Sequence, residues 1–472
     1  MYHKTSSHTT EFISHEEIVN TLSYAKANCN NRVLIQEILE KARSCNGLSH
    51  REAAVLLECT DKELTASIYE LAKNIKQHFY GNRIVMFAPL YLSNYCINSC
   101  VYCPYHIKNQ TITRKKLTQD DIRKEVMALQ DMGHKRLAIE AGEDPKNNPI
   151  EYILESIQTI YDIKHKNGAI RRVNVNIAAT TVENYRKLHK AGIGTYILFQ
   201  ETYHKENYER LHPHGPKSDY TYHTEAMDRA MQGDIDDVGI GVLFGLNTYR
   251  YDFIGLLMHA EHLEATYGVG PHTISVPRIC PADDIHVSDF KNAISDEIFQ
   301  KIVAVLRISV PYTGMIVSTR ESQQVREKVL ELGVSQLSGG SRTSVGGYVH
   351  KETLNENSSQ FDISDHRSLD EIVAWLIKLG YIPSFCTACY REGRTGDRFM
   401  SLVKTGQIAN CCTPNALITL QEFLEDYASE ATRKSGYGFI RAQTEQIPHP
   451  AIRKKTIEYL QSITRGERDF RF

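Results

Sequence analysis

The stretch 84–109, IVMFAPLYLSNYCINSCVYCPYHIKN, runs from an apolar, β-rich segment straight into three cysteines. Its first half, IVMFAPL, reads as a buried strand. The cysteines follow as Cys96, Cys100 and Cys103, in the spacing C-x3-C-x2-C. A strand that hands over to a ligand-rich loop puts chemistry at its C-terminal end. That is the end parallel β/α barrels use. The fold then depends on whether the strand-to-helix pattern repeats.

It does. RLAIEAG (136–142), VNVNIAA (173–179), GTYILFQ (194–200), VGIGVLFG (238–245), HTISVP (272–277) and GMIVST (314–319) read as further strands. QLSGG (336–340) is a weaker eighth. Amphipathic stretches lie between them. In LTQDDIRKEVMALQDMG (117–133), Thr118 and Asp121 can form a capping box, and Ile122, Val126 and Leu129 make one apolar face. This alternation predicts an α/β fold, a TIM-type (β/α)8 barrel, closed or splayed open. Residues 1–80 read as an N-terminal helical extension, with helical spacing in VLIQEILEKA and LTASIYELAKNI. Residues 81–350 read as the barrel. Residues 351–472 read as a mostly helical C-terminal domain, entered through the polar segment HKETLNENSSQFDISDHRS.

The 55 Lys and Arg nearly balance the 57 Asp and Glu, for a net charge of −2, which argues against a nucleic-acid partner. The opening MYHKTSSHTTEF has no apolar signal core, and no apolar run reaches the ~18 residues of a membrane span. A cytoplasmic protein without a membrane partner is expected. The 11 cysteines do not suggest a disulfide framework: three fall within 96–103 and four more within 386–412. Clustering of that kind suits metal. Cys29, Cys45 and Cys59 fall on helical patterns and read as small buried apolar residues.

Three thiolates on one short loop can hold three irons of a 4Fe–4S cube, leaving the fourth iron open. A closed zinc site is the competing reading, with His106 as fourth ligand. C-x3-C-x2-C with Tyr102 before the last cysteine resembles the signature of the radical-SAM superfamily. The resemblance implies S-adenosylmethionine (SAM) on the open iron, cleaved reductively to an adenosyl radical. Ala141-Gly142-Glu143 resembles the family's Gly-Gly-Glu segment, which holds the methionine amino group, with Ala141 replacing the first glycine. Asn174 and Asn176 share one strand face and can reach ribose hydroxyls, or are ordinary strand polarity. GIGVLFG (239–245) can approach an adenine edge, or be a tightly packed strand.

The second group, FCTACYREGRTGDRFMSLVKTGQIANCC (385–412), offers Cys386, Cys389 and Cys412, with Cys411 as an alternative to Cys412. It lacks the second C-x2-C of a zinc ribbon. Together with FQETYHKENYERLHPHGPKSDY (199–220), this spacing is similar to the tyrosine lyases of FeFe-hydrogenase maturation, the HydG family. The resemblance runs over nearly the whole chain. It implies cleavage of L-tyrosine at Cα–Cβ into p-cresol and dehydroglycine. The latter is converted to CO and cyanide on an auxiliary cluster carrying an extra iron. It also implies an electron donor, a ferredoxin or flavodoxin, and other hydrogenase maturation proteins as partners.

A tyrosine carboxylate needs a cation. Arg320 and Arg278, each just past a strand, are candidates beside rim ion pairing as the alternative, and Ser322 is a weaker one. For the extra iron His272 is favoured, because it opens the sixth strand and so lies at the barrel bottom. His259 and His262 are alternatives. Cys280, His212 and His214 have no assigned role. Three rivals remain: a thiazole-pathway tyrosine lyase, a non-catalytic iron–sulfur scaffold and a zinc-stabilised interaction protein.

Overall fold

The computed structural model describes residues 1–350 and 357–472. Most of the linker's opening, 351–356, lies outside the described residues. The barrel strands are β1 (Arg83–Ser93), β2 (Arg136–Ala141), β3 (Arg172–Asn176) and β4 (Tyr196–Ile197). They continue as β5 (Val238–Gly241), β6 (Thr273–Ser275), β7 (Gly314–Val317) and β8 (Gln336–Ser338). Each pairs in parallel with the next, and β8 pairs back on β1 from Val85–Gln336 to Phe87–Ser338. The barrel is closed, not splayed.

All eight expected strands are present. The fourth is the shortest, although beyond Ile197 the chain still bonds its neighbour through Leu198 N–H to Gly239 O at 3.0 Å, Gln200 N–H to Gly241 O at 2.9 Å and a Glu201–Val242 bridge. β1 is buried along nearly its full length, as a strand covered on both sides should be. The helix Gln119–Asp131 starts at the Thr118/Asp121 capping box and buries Ile122, Val126 and Leu129. The N-terminal helices His50–Glu58 and Lys62–Tyr80 pack on the outer barrel helix Asp296–Ser309. Among the described residues no helix is long and apolar enough to cross a membrane.

One strand of the barrel sheet is missing from the sequence reading. The mostly helical C-terminal region contributes a ninth strand, β9 (Ile382–Ser384), which pairs with the start of β1 through Arg83–Ile382, Ile84–Pro383 and Val85–Ser384. Pro383 argues against a strand in the sequence, but β9 has a single neighbour, and an edge strand tolerates proline. This pairing sets Cys386 beneath the barrel floor.

The buried ion pair of Lys135, just before β2, and Glu422, on helix Ala409–Asp426, clamps the same region, with side chains 4 % and 1 % exposed. Removing one partner of such a pair strands the other charge, at about 3–5 kcal/mol. Glu422→Ala is therefore expected to lower unfolding stability by roughly that amount in denaturant titration, whereas a loss below about 1 kcal/mol would mean the clamp is solvated.

Candidate functional site

The loop after β1 is fixed before any cluster chemistry is considered. Arg114 donates to the carbonyls of Asn94, Tyr105 and His106 at 2.7–2.8 Å and ties both ends of the loop together. Ile97 N–H donates to Glu143 O at 2.8 Å, Ser99 N–H to His214 O at 3.0 Å and Val101 N–H to Leu211 O at 3.0 Å. Two other loops thus cradle the cysteines: the one after β2 and the QETY…HPHGPK segment after β4. The approach is close enough to demand glycine twice. A Cβ on Gly142 would meet Tyr95 O at 2.4 Å, and one on Gly215 (φ +100°) would meet Asn98 Oδ1 at 2.3 Å.

The loop opens on a cavity of about 160 Å³ at the C-terminal ends of the strands. Cys96, Cys100, Cys103, Ala141, Gly142, Glu143, Asn176 and Arg320 line it together. Asn174 does not: its Oδ1 accepts from Thr195 N–H at 3.1 Å and it faces the barrel lumen below. The 239–245 segment reaches the cavity through Leu243. Arg320 lies 3.5 Å over the Phe361 ring and 3.1 Å from Cys280 Sγ, leaving part of its fork to the cavity. Arg278 is committed elsewhere, to the Glu321 carboxylate and to Asp296 at 2.8 Å. Ser322 accepts from Val325 N–H at 3.3 Å and caps the helix Gln323–Leu332.

Sequence reasoning missed the residues behind the cysteines. Lys217 Nζ pairs with Glu201 Oε1 at 2.7 Å, and both line the cavity. Burial pushes the Cys103 thiol up to about 12, and it raises Cys100 as well, with Lys217 opposing in both. Asn98 joins the loops, its Nδ2 donating to Glu143 Oε2 at 2.6 Å and its Oδ1 accepting from Lys217 N–H at 2.9 Å. Burial draws His212 down to about 3, so the ring is neutral. Its Nδ1 donates to Tyr208 O at 2.7 Å, so its Nε2 accepts from Tyr102 O–H at 2.7 Å. The signal was available: ETY and HPHGPK flank one short helix, Lys205–Leu211.

The donor chemistry suits a cluster better than one ion. His106, the would-be zinc ligand, instead faces Asp284 at 3.3 Å. Among the described residues no three His, Cys, Asp or Glu side chains converge tightly enough for a single metal ion. A sulfide-bridged cube takes its thiolates at wider separation.

A second cavity, of about 100 Å³, lies at the opposite end of the barrel. Cys386, Cys389, Cys412 and His272 line it with Arg83 and Arg136. The hydrogen bond between the Cys389 and Cys412 thiols holds Cys412 below the usual thiol range and, together with burial, raises Cys389 above it. Cys411 points away, toward Arg394 Nη1 at 3.5 Å. His272 Nε2 is 3.1 Å from Tyr390 Oη, and its Nδ1 is 3.3 Å from Asp237. His259 and His262 are far from these cysteines in the network, bonded to Tyr203 and Asp228 on the outer face.

The Radical SAM superfamily model matches residues 90–256, and the Biotin and Thiamin Synthesis associated domain matches 275–382. The 2-iminoacetate synthase of Salmonella typhimurium is 28 % identical over 350 residues, spanning 73 % of this chain and 89 % of that enzyme. The crystal structure of HydG, a maturase of the FeFe-hydrogenase, is 55 % identical, with a TM-score of 0.94 over 98 % of this chain and 100 % of that one. HydG from Carboxydothermus hydrogenoformans is 40 % identical, with a TM-score of 0.84 over 96 % and 100 %. Near-complete coverage at this identity, on a closed barrel with the radical-SAM cysteine loop, means that the chain is a radical-SAM enzyme of the HydG family of FeFe-hydrogenase maturases.

Proposed function

We propose that the chain cleaves L-tyrosine at Cα–Cβ into p-cresol and dehydroglycine, and converts dehydroglycine into CO, cyanide and water for an iron precursor of the hydrogenase. One observation carries this reading: the two cysteine cavities lie at opposite ends of the barrel, and a third cavity, in its lumen, shares wall residues with both. Glu140, Asn176, Phe199 and Arg320 line both the upper cavity and the lumen, and Gln336 lines both the lumen and the lower cavity. A reactive imine can pass between the sites without meeting bulk water. The division into 1–80, 81–350 and 351–472 serves that route, with the third part closing the barrel's lower end.

Cys96, Cys100 and Cys103 would hold the 4Fe–4S cluster, with Gly142, Glu143 and Asn176 beside its SAM. Cys386, Cys389, Cys412 and His272 would hold the auxiliary cluster and its extra iron. When bound and reduced, the first cluster with SAM supplies a 5′-deoxyadenosyl radical, and the second supplies iron for the diatomic products. The chain's own part is orientation. Arg320 offers a guanidinium to the tyrosine carboxylate, while Phe199, Leu243 and Phe361 shield the cavity wall from water. A ferredoxin- or flavodoxin-class donor supplies electrons in the cytoplasm, and other maturation proteins take the product.

Anaerobic reconstitution with iron and sulfide, followed by SAM, reductant and tyrosine, tests the reading through p-cresol and CO measured together. Both are expected. p-Cresol alone would favour the thiazole-pathway reaction of the iminoacetate-synthase type, and SAM left intact would leave only a scaffold. Arg320→Gln is expected to raise the KM for tyrosine by roughly ten- to a hundredfold, as a charge-assisted hydrogen bond is worth about 1.5–3 kcal/mol. An unchanged KM would return Arg320 to its Phe361 and Cys280 contacts alone.

A further inference from the structure

The barrel floor carries two arginines that the reading above does not use. Arg136 opens β2, Arg172 opens β3, and they are direct cross-strand partners. Ala138 and Glu140 on one strand, and Asn174 and Asn176 on the other, follow at period two and line the lumen. Arg136 and Arg172 are therefore the lowest layer of the same inward face. They are 8 % and 1 % exposed. Like charges directly opposite each other in a sheet repel, and buried cations need an anion.

The structure supplies too little of one. Arg136 donates Nη2 to Cys386 O at 2.9 Å. Arg172 donates Nη2 to Thr195 Oγ1 at 2.9 Å and lies over the Tyr390 ring. The neighbouring carboxylate, Asp237, is 3.7 Å from Arg172, faces His272 Nδ1 at 3.3 Å and accepts from Gly396 N–H at 3.1 Å. Arg136 Nε, Arg172 Nε and Arg172 Nη1 are left buried with no acceptor. Unmet donors of this kind are rare in folded proteins and mark a missing ligand or a strained site. Burial draws Arg172 down to about 10, opposed by Tyr390 and reinforced by Arg136, so it stays cationic at neutral pH. Arg136 lines the lower cavity beside Cys386, Cys389, Cys412 and His272.

We propose that Arg136 and Arg172 form a carboxylate seat, which takes a two-carbon α-imino or α-keto acid from the lumen and presents it to the second cysteine cavity. The seat deepens the proposed two-site function: it names the group by which the travelling fragment is caught. Paired guanidiniums suit this task because they bind a carboxylate through several N–H groups at once and leave its other carbon facing the cysteines. A neutral fragment such as p-cresol finds no purchase there.

The probe is glyoxylate, the stable carbonyl analogue of the imine, titrated into the reconstituted two-cluster protein without tyrosine or SAM. The readout is the EPR signal of the auxiliary cluster. Wild type should show a saturable change. Arg136→Gln should weaken it by roughly tenfold or more, and Arg136→Lys should recover only part, as a point charge without the fork. During tyrosine turnover, the CO to p-cresol ratio of Arg136→Gln should fall by a similar factor, with free glyoxylate in its place. Arg172→Gln serves as the second variant. Each removes one of two repelling buried charges, so melting temperatures should hold or rise, which separates a seat from a structural pair. Unchanged glyoxylate binding and an unchanged product ratio in both variants would overturn the seat and leave the two-site reading standing. Wild type that makes p-cresol but no CO would remove that reading, and the seat with it.

Discussion

The Cys386→Ser/Cys389→Ser variant is expected to make p-cresol and no CO. The serine oxygens are poor ligands for the soft irons that thiolates hold, so the lower cavity loses its cluster. The upper cavity is built from other elements: the loop after β1, the loop after β2 and the HPHGPK segment. No residue lines both cysteine cavities, among those described. Distant sites without shared partners behave independently, so p-cresol formation should stay within about twofold of wild type. Dehydroglycine, denied its second site, hydrolyses, and glyoxylate should appear in step with p-cresol. His272→Ala separates the two metal components. It should also suppress CO while keeping the sulfide content that the cysteine variant loses, because a histidine would hold the extra iron and not the cluster. Undiminished CO from the cysteine variant would move the second reaction elsewhere in the molecule.

The sequence showed the barrel because short, continuous apolar runs and period-3.6 helices are local signals. Thr118 and Asp121 announce a helix start within four residues, and the structure has the capping box there. The cysteine spacings were equally local. What stayed hidden depends on contacts between distant segments. β9 was invisible because Pro383 reads as a strand breaker until its single neighbour is known. Arg278 and Arg320 looked equivalent, each just past a strand. Only the fold reveals that Glu321 and Asp296 occupy the first, while Phe361 and Cys280 hold the second at the cavity. Asn174 and Asn176 share a face, as alternation required. Yet one level of the pleat separates them, which places Asn176 in the upper cavity and Asn174 in the lumen only. The Arg136–Arg172 pair lay in plain view at two strand starts. Its meaning needed the register that sets the two side by side.

Lys217→Met is expected to disturb the upper site more than any other single change behind the cysteines. The Lys217 and Glu201 side chains are 17 % and 11 % exposed and meet at 2.7 Å. Methionine keeps the apolar stem and removes the charge, which leaves Glu201 uncompensated beside Cys100 and Cys103. Breaking a buried pair costs about 3–5 kcal/mol, and the residual exposure here argues for the lower end or slightly below, about 2–4 kcal/mol. Glu201 already sits at φ 68°, a left-handed conformation uncommon for glutamate, so the segment has little slack to relax. Two readouts separate stability from electrostatics. Cluster content at the first site should drop on reconstitution, as the loop loses an anchor. In whatever fraction still binds, the reduction midpoint from an EPR-monitored titration should move to a more negative potential, because a nearby cation favours the reduced, more negative cluster. The double variant Glu201→Gln/Lys217→Met removes the stranded charge and should recover much of the stability, since replacing both partners costs far less than removing one. If its potential also returns to that of wild type, the net charge of the pair governs the cluster. If the potential stays low, the ammonium itself does, by lying nearer the thiolates than its partner. A single variant that binds the cluster fully at an unchanged potential would reduce the pair to packing.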